Sequence, residues 1–220
     1  MRVHIRLLCG LILLLTLQVR AQSEDYQNVT ETQLDPHQVL SLATDKTFTS
    51  IKNQQISLAS DPKLMRKIMD QELMPYVDYE FCAFKVLGKY FRSMQKEELS
   101  AFAELFREYL IATYATTLSV YHNQTLELEP FRGVTEQSDV TIKGLIKESG
   151  RPDINIAFKL RKNSRTHSWL IYDMVAEGIS LVSSKQSEFG PMLRTEGVAY
   201  VMAKMKEVIA ADDTRAVTSQ

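Results

Sequence analysis

Between Leu126 and Leu160 apolar residues recur at every second position, whereas on either side of that stretch they recur at every third or fourth. This change of period is the strongest constraint in the chain. A period of two puts side chains on alternate faces of a strand, and a period of 3.6 lines them along one stripe of a helix. Leu126 and Leu128 alternate with Glu127 and Glu129; Val140, Ile142 and Ile146 with Thr141, Lys143 and Lys147; Ile154, Ile156, Phe158 and Leu160 with Asn155, Lys159 and Arg161. Turn residues separate these runs at Gly133, at Ser149-Gly150 with Pro152, and at Lys162-Asn163-Ser164, so they read as three strands of an antiparallel meander. Trp169 to Val175 supplies a fourth strand, but its apolar side chains fall on both parities: Trp169, Ile171 and Val175 on one, Leu170, Tyr172 and Met174 on the other. A sheet with one face on a core and the other in water alternates cleanly. This strand has an apolar face too many.

The flanking segments read as helices. Asp35-Pro36 is an N-cap residue followed by a proline at the first helical position, and Val39, Leu42, Ala43, Thr47 and Ile51 lie on one side of the helix it starts. Asp61-Pro62 repeats the signal, with Leu64, Met65, Ile68 and Met69 continuing until Pro75. Asp78 caps the aromatic run YEFCAFKVLGKYF. The longest helix is predicted from Lys96 to Tyr121, with Leu99, Phe102, Phe106, Tyr109, Leu110, Thr113, Thr117 and Tyr121 at helical spacing. After the sheet, helices are predicted over Leu181 to Leu193 and, behind a Thr195 cap, over Glu196 to Ile209. Helices, then sheet, then helices is an α+β layout, here a twisted four-stranded antiparallel sheet packed with six or seven helices.

Arg2, Arg6, the 11-residue apolar stretch Leu7 to Leu17 and the small residues Val19 and Ala21 read as a secretory signal cleaved after Ala21, too short for a membrane anchor. Residues 22–34 then form a polar leader, residues 35–210 one domain, and residues 211–220 a disordered tail. Taking the three arginines of residues 1–21 from 26 basic residues leaves 23 against 27 acidic, a net charge of −4 on 199 residues. That balance argues against a nucleic-acid binder, whose footprint is basic. Cys82 is then the one remaining cysteine, so no internal disulfide can form.

The sequence offers no convincing catalytic or metal site. Cys82 lies among Phe81, Ala83 and Phe84, without the electropositive, partly exposed setting that a reactive thiolate needs. His37, His122 and His167 are scattered singly, and neither a Gly-x-Ser-x-Gly elbow nor a phosphate-binding glycine loop is present. Asp173 and Glu177 read as structural partners of the neighbouring turn. No cofactor is implied, and a monomer is expected.

What remains is apolar surface in excess. Phe81, Phe84, Leu87, Tyr90 and Phe91 spread around most of a helical circumference, and the fourth strand is apolar on both sides. One reading is a helix and a strand sandwiched between two layers of ordinary core. The other is that one layer walls a cavity for a long apolar ligand, which Met and aromatic residues can repack around.

VDYEFCAFKVLGKYF, then FAELFREYLIATYATTL, then WLIYDMVAEGISLV resembles, in order and spacing, the MlaC or toluene-tolerance family of periplasmic phospholipid carriers. The match runs through Val77, Asp78, Glu80, Val86, Leu87, Gly88, Tyr90, Phe106, Leu110, Tyr114, Trp169, Tyr172, Asp173, Glu177, Gly178, Ser180 and Leu181. The chain departs from the pattern at Lys185-Gln186, where the family commonly has Tyr-Arg, and at Gly190-Pro191, which is expected to interrupt a helix. The resemblance implies a shuttle in the Gram-negative periplasm, holding phospholipid as cargo between an outer-membrane lipoprotein and porin complex and an inner-membrane ABC transporter with an MCE-domain subunit. It implies an apolar lipid-binding cavity lined by Phe84, Leu87, Tyr90, Phe91, Phe106, Leu110, Tyr114 and Leu118 from the helices and by Ile142, Ile156, Phe158, Trp169 and Ile171 from the sheet. Tyr172 and Val175 are lesser candidates, since which parity of the fourth strand meets lipid stays open. The competing class is an exported enzyme or protein-interaction module with a dry core.

Overall fold

The computed structural model describes residues 34–61, 63–119, 124–131 and 137–218. The expected export signal, the leader as far as residue 33, His122 and the turn at Gly133 lie outside them. Helices α1 (Pro36–Asn53), α2 (Gln55–Ser60) and α3 (Lys63–Ile68) come first, and α3 runs on into a π-helical turn, Met69–Leu73, and a 3-10 turn, Met74–Tyr76, that contains Pro75. Helix α4 (Tyr79–Leu87), a 3-10 turn (Gly88–Ser93) and the 24-residue α5 (Lys96–Ser119) follow. Then come β1 (Thr125–Leu128), β2 (Asp139–Lys147), β3 (Ile154–Lys162), β4 (Trp169–Ala176) and β5 (Ile179–Ser180), and finally α6 (Leu181–Thr195) and α7 (Val198–Thr218).

The local signals work as their chemistry dictates. The Asp35 carboxylate accepts from the Gln38 N–H at 2.8 Å while the Gln38 side chain accepts from the Asp35 N–H at 2.9 Å, a complete capping box. The Asp78 carboxylate accepts from the Phe81 N–H at 3.1 Å and starts α4 in the same way.

The sheet is an antiparallel meander in the order β1-β2-β3-β4-β5, one strand more than the pattern predicts. The extra strand arises at Glu177-Gly178. Both residues have positive φ, 47° and 81°, which makes a tight two-residue hairpin between Ala176 and Ile179. Glycine adopts that geometry freely, and Glu177 is held in it by accepting from the Asn155 backbone and side-chain N–H groups.

Register resolves the surplus apolar face of β4. Leu160 pairs with Ile171 and Lys159 with Asp173, so Tyr172 is an extra residue, a β-bulge. A bulge reverses parity. Trp169 and Ile171 therefore share a face with Met174, opposite Phe158, whereas Val175 pairs with Ala157 on the other face beside Asp173. The grouping of Trp169 and Ile171 with Val175 is thus corrected, because strict alternation holds only where pairing is unbroken.

Three helical expectations also change. Helix α6 runs through Gly190-Pro191 without interruption; Pro191 and Ser187 are both exposed, so the carbonyl that loses its helical partner there faces water. Thr195 ends α6, donating its hydroxyl to the Pro191 carbonyl at 3.1 Å, and does not cap α7. The expected disordered tail from residue 211 gives way to α7, which continues as far as Thr218.

Candidate functional site

The sheet turns one apolar face inward. Val140, Ile142, Ile156, Phe158, Leu160, Trp169 and Ile171 form a buried cluster there with Val39, Leu40 and Ala43 of α1 and with Tyr76. The pairs Ile142–Phe158, Leu160–Ile171 and Phe158–Met174 keep these side chains on one face. Leu40, at 0% exposure, is at its centre. The five sheet residues expected to line a site are brought together, but α1 covers them, not α4 or α5.

This interface is built of apolar side chains, with the Tyr76 hydroxyl bonded to Lys46 of α1, and it continues into its neighbours. Leu73, on the π-helical turn, packs against both this cluster and a second one built from Ile51, Met65, Ile68, Met69, Met74, Ile111 and Ala115. Three of those seven side chains are methionines, which are unbranched and adapt to irregular space. A π-helical turn is itself rare and recurs at functional sites. At the other end of the same sheet face the cover thins: Ile154 is 43% exposed opposite Ile146, and Ile179 is 66% exposed opposite Ala176.

The helical residues expected in the same lining are elsewhere. Leu87, Phe106 and Leu110 are buried in a third cluster with Phe189 and Leu193 of α6 and Val201 and Met205 of α7, and Phe84, Tyr90 and Tyr114 pack half-buried against it. Leu118 packs against the methionine cluster, which Tyr114 also touches. Phe91 is 36% exposed. Tyr172 turns to the helical side of β4, edge-on to Phe81 with ring centroids 5.3 Å apart. The residues that pack on the sheet face without having been expected there are Val39, Leu40, Ala43 and Tyr76. The α1 stripe was visible, but nothing local said which surface it covers.

The polar side of β4 is firmly bonded. The Asp173 carboxylate, buried at the bulge, accepts from Lys159 Nζ at 3.0 Å, from the Ser180 hydroxyl at 2.8 Å and from the Val182 N–H at 3.1 Å, which ties β3, β5 and the start of α6 to one group. Asp78 accepts from the Arg161 guanidinium at 2.7 Å, and that guanidinium lies 4.1 Å from the Phe81 ring centroid. The Cys82 thiol donates to the Tyr172 carbonyl at 2.9 Å, and burial, helped by the Asp78 and Asp173 charges, pushes its pKa far up. A thiol so placed is a structural donor.

The Lys185 departure from the family pattern also finds its place. Its ammonium donates to Tyr109 Oη and to Glu188, both at 2.7 Å. Burial pulls its pKa down, yet the bonds to Glu188 and Tyr109 outweigh it and the net shift is upward. An open groove of about 490 Å³ lies along the start of α5, lined by Lys96, Glu97, Ser100, Ala101 and Glu104. Its charged walls do not suit an acyl chain. Among the described residues no helix is long and apolar enough to cross a membrane.

The profile of the MlaC protein family matches residues 42–207. The chain is similar to the intermembrane phospholipid transport system binding protein MlaC of Haemophilus influenzae, with 30% identity over 173 residues that make up 78% of this chain and 81% of that protein. It is also similar to the toluene tolerance protein ttg2D of Pseudomonas putida, with 20% identity over 163 residues, 74% of each chain. Among solved structures it shares the fold of a phospholipid-binding protein from Ralstonia solanacearum in complex with a phospholipid, with a TM-score of 0.73 and 21% identity over 82% of this chain and 99% of that one.

Proposed function

The chain belongs to the MlaC family, and from that premise we propose that it is a phospholipid carrier whose cargo tails lie between the inner sheet face and α1. The observation that carries this reading is the interface itself. Its walls are apolar side chains, it adjoins a methionine-rich cluster, and the sheet face it covers ends in the exposed Ile154 and Ile179. Ile142, Ile156, Phe158, Trp169 and Ile171 form the sheet wall, and Leu40 and Ala43 form the opposing one. Leu87, Phe106 and Leu110 support the lobe behind, and Phe91, Tyr172 and Val175 lie off the path.

The physical need is plain. A buried methylene is worth about 0.8 kcal/mol, so two acyl chains of about 15 methylenes carry roughly 24 kcal/mol of gross transfer energy into water. Tails therefore move between membranes only if they stay covered. The bilayers at either end offer equal shelter, so a carrier works by matching their affinity; binding much tighter would block release. Apolar contacts suit this because they are non-directional and re-form around tails as α1 shifts. Lipid moves between an outer-membrane lipoprotein and porin complex and an inner-membrane ABC transporter with an MCE-domain subunit, in the periplasm after removal of residues 1–21. The direction comes from the energy supply of those partners, since a carrier that only binds and releases cannot set it.

Native mass spectrometry of gently purified protein, followed by lipid extraction, tests this. A co-purifying phospholipid is expected. Ala43→Phe, which overpacks the contact between α1 and the sheet at a cost of about 1–3 kcal/mol, is expected to leave a folded protein with little lipid. A folded variant that keeps its full complement of lipid would rule out this placement, and a wild-type protein free of lipid would rule out the carrier.

A further inference from the structure

One surface feature is left unexplained by a tail site. Helix α4 ends where Gly88, at φ +57°, takes a backbone conformation that L side chains rarely adopt. The chain then enters the turn Gly88–Ser93, which is pinned by the Ser93 hydroxyl donating to the Tyr90 carbonyl at 2.9 Å. Phe91 is exposed on this turn and backed by Phe84, with ring centroids 4.9 Å apart. The turn itself carries two exposed cations, Lys89 and Arg92, and Lys85 and Lys96 stand exposed on the helices at either side; none of the ion pairs among the described residues includes them, although the Lys89 ammonium lies 5.3 Å from the Tyr90 ring centroid and that of Lys85 lies over Phe81 and Tyr172. Two carboxylates follow, Glu97 and Glu98, and Glu98 is turned back to accept from the Gln95 N–H at 2.8 Å.

Helix electrostatics account for only part of this. Cations at the end of α4 complement its dipole, but Lys96 is the first residue of α5, at the positive end, where a cation is disfavoured. The chain as a whole is slightly acidic, so the cluster is a local excess. We infer that the Gly88–Ser93 turn is a contact site for an anionic bilayer surface, with Phe91 entering the boundary between head groups and acyl chains and the flanking cations reaching lipid phosphates. An exposed ring beside long cations that have no carboxylate partner is the composition of an interfacial anchor, because Lys and Arg stems lie along apolar surface while their heads stay in the polar layer. A bilayer supplies both partners at once and needs no shaped pocket. This surface is separate from the tail site and does not require the carrier reading.

Flotation with vesicles tests it, using phosphatidylcholine alone and equal parts phosphatidylcholine and phosphatidylglycerol. Wild type is expected to float with the anionic vesicles only, and less so as salt rises. Lys89→Ser with Arg92→Ser should weaken binding roughly fivefold per cation, equivalent to about 1 kcal/mol each; Phe91→Ser should weaken it while leaving salt dependence in place. Equal flotation on both vesicle types, or a double variant that floats like wild type, overturns the inference. So does a protein that ignores vesicles yet delivers no lipid in cells when Phe91 is changed, since that assigns the turn to a protein partner. Lipid content read by native mass spectrometry on the same variants keeps the two proposals apart: lost flotation with lipid retained bears on this turn alone, and flotation by a lipid-free protein bears on the carrier alone.

Discussion

Strand β4 is approached from both sides, and the two interfaces are made of different materials. On its inner face α1 rests on Trp169 and Ile171 through Val39, Leu40 and Ala43, all apolar contacts. On its outer face α6 is tied to it by the buried Asp173 and α4 by the Cys82 thiol, while the Asp78–Arg161 pair fixes the start of α4 to the neighbouring β3. Hydrogen bonds and ion pairs demand one geometry, and breaking them in a dry interior is costly. Apolar contacts tolerate many geometries. The same strand is therefore a fixed post for the helical lobe and, on its other face, one wall of the seam proposed to admit lipid tails.

The contrast can be broken by experiment, beginning where the effect is largest. Asp173→Ala leaves the Ser180 hydroxyl and the Val182 N–H without their partner and frees the partly exposed Lys159 ammonium to water, and is expected to cost about 2–3 kcal/mol in urea unfolding. A loss under 1 kcal/mol would mean that the outer junction is no firmer than the inner one. Next is local opening, read by alkylation. Cys82 is buried and its thiol pKa is raised, so it should label only when the protein unfolds globally. A cysteine placed on the inner seam by Ala43→Cys, in a Cys82→Ala background, should label at least roughly tenfold faster, an opening energy lower by about 1.4 kcal/mol. Equal rates would erase the distinction. The smallest effect is expected at Tyr76, whose hydroxyl accepts from Lys46 Nζ of α1 at 2.7 Å. Tyr76→Phe should cost about 1 kcal/mol or less and speed release of a fluorescent phospholipid to acceptor vesicles; slower release would place the latch elsewhere.

Much of this architecture was legible because it rests on local signals. Asp35 and Asp78 announce their helices by capping chemistry, and the alternation of Ile142, Ile156 and Phe158 marks the inner sheet face. Lys185 stands out in the sequence as a departure from the family pattern, and Gly190-Pro191 as an expected break in a helix. Lys185 keeps a tyrosine and a glutamate as partners in the helical lobe, and Pro191 sits on the solvent-exposed side of α6, which runs through it unbroken. The candidate site was half legible. The sheet residues expected in it share one buried face, whereas Leu87, Phe106 and Leu110, expected opposite them, face α6 and α7.

What the sequence determined by itself was the order and type of the elements, the family, and one apolar wall, since each follows from periods, caps and motifs within a few residues. What only the tertiary structure decided was which helix closes that wall and which side chains of β4 face it. The bulge at Tyr172 exists only in the pairing of β4 with β3, and beyond it every side chain of the strand changes sides. The choice of α1 over α5 as the cover likewise depends on contacts between segments about a hundred residues apart, where no local pattern reaches.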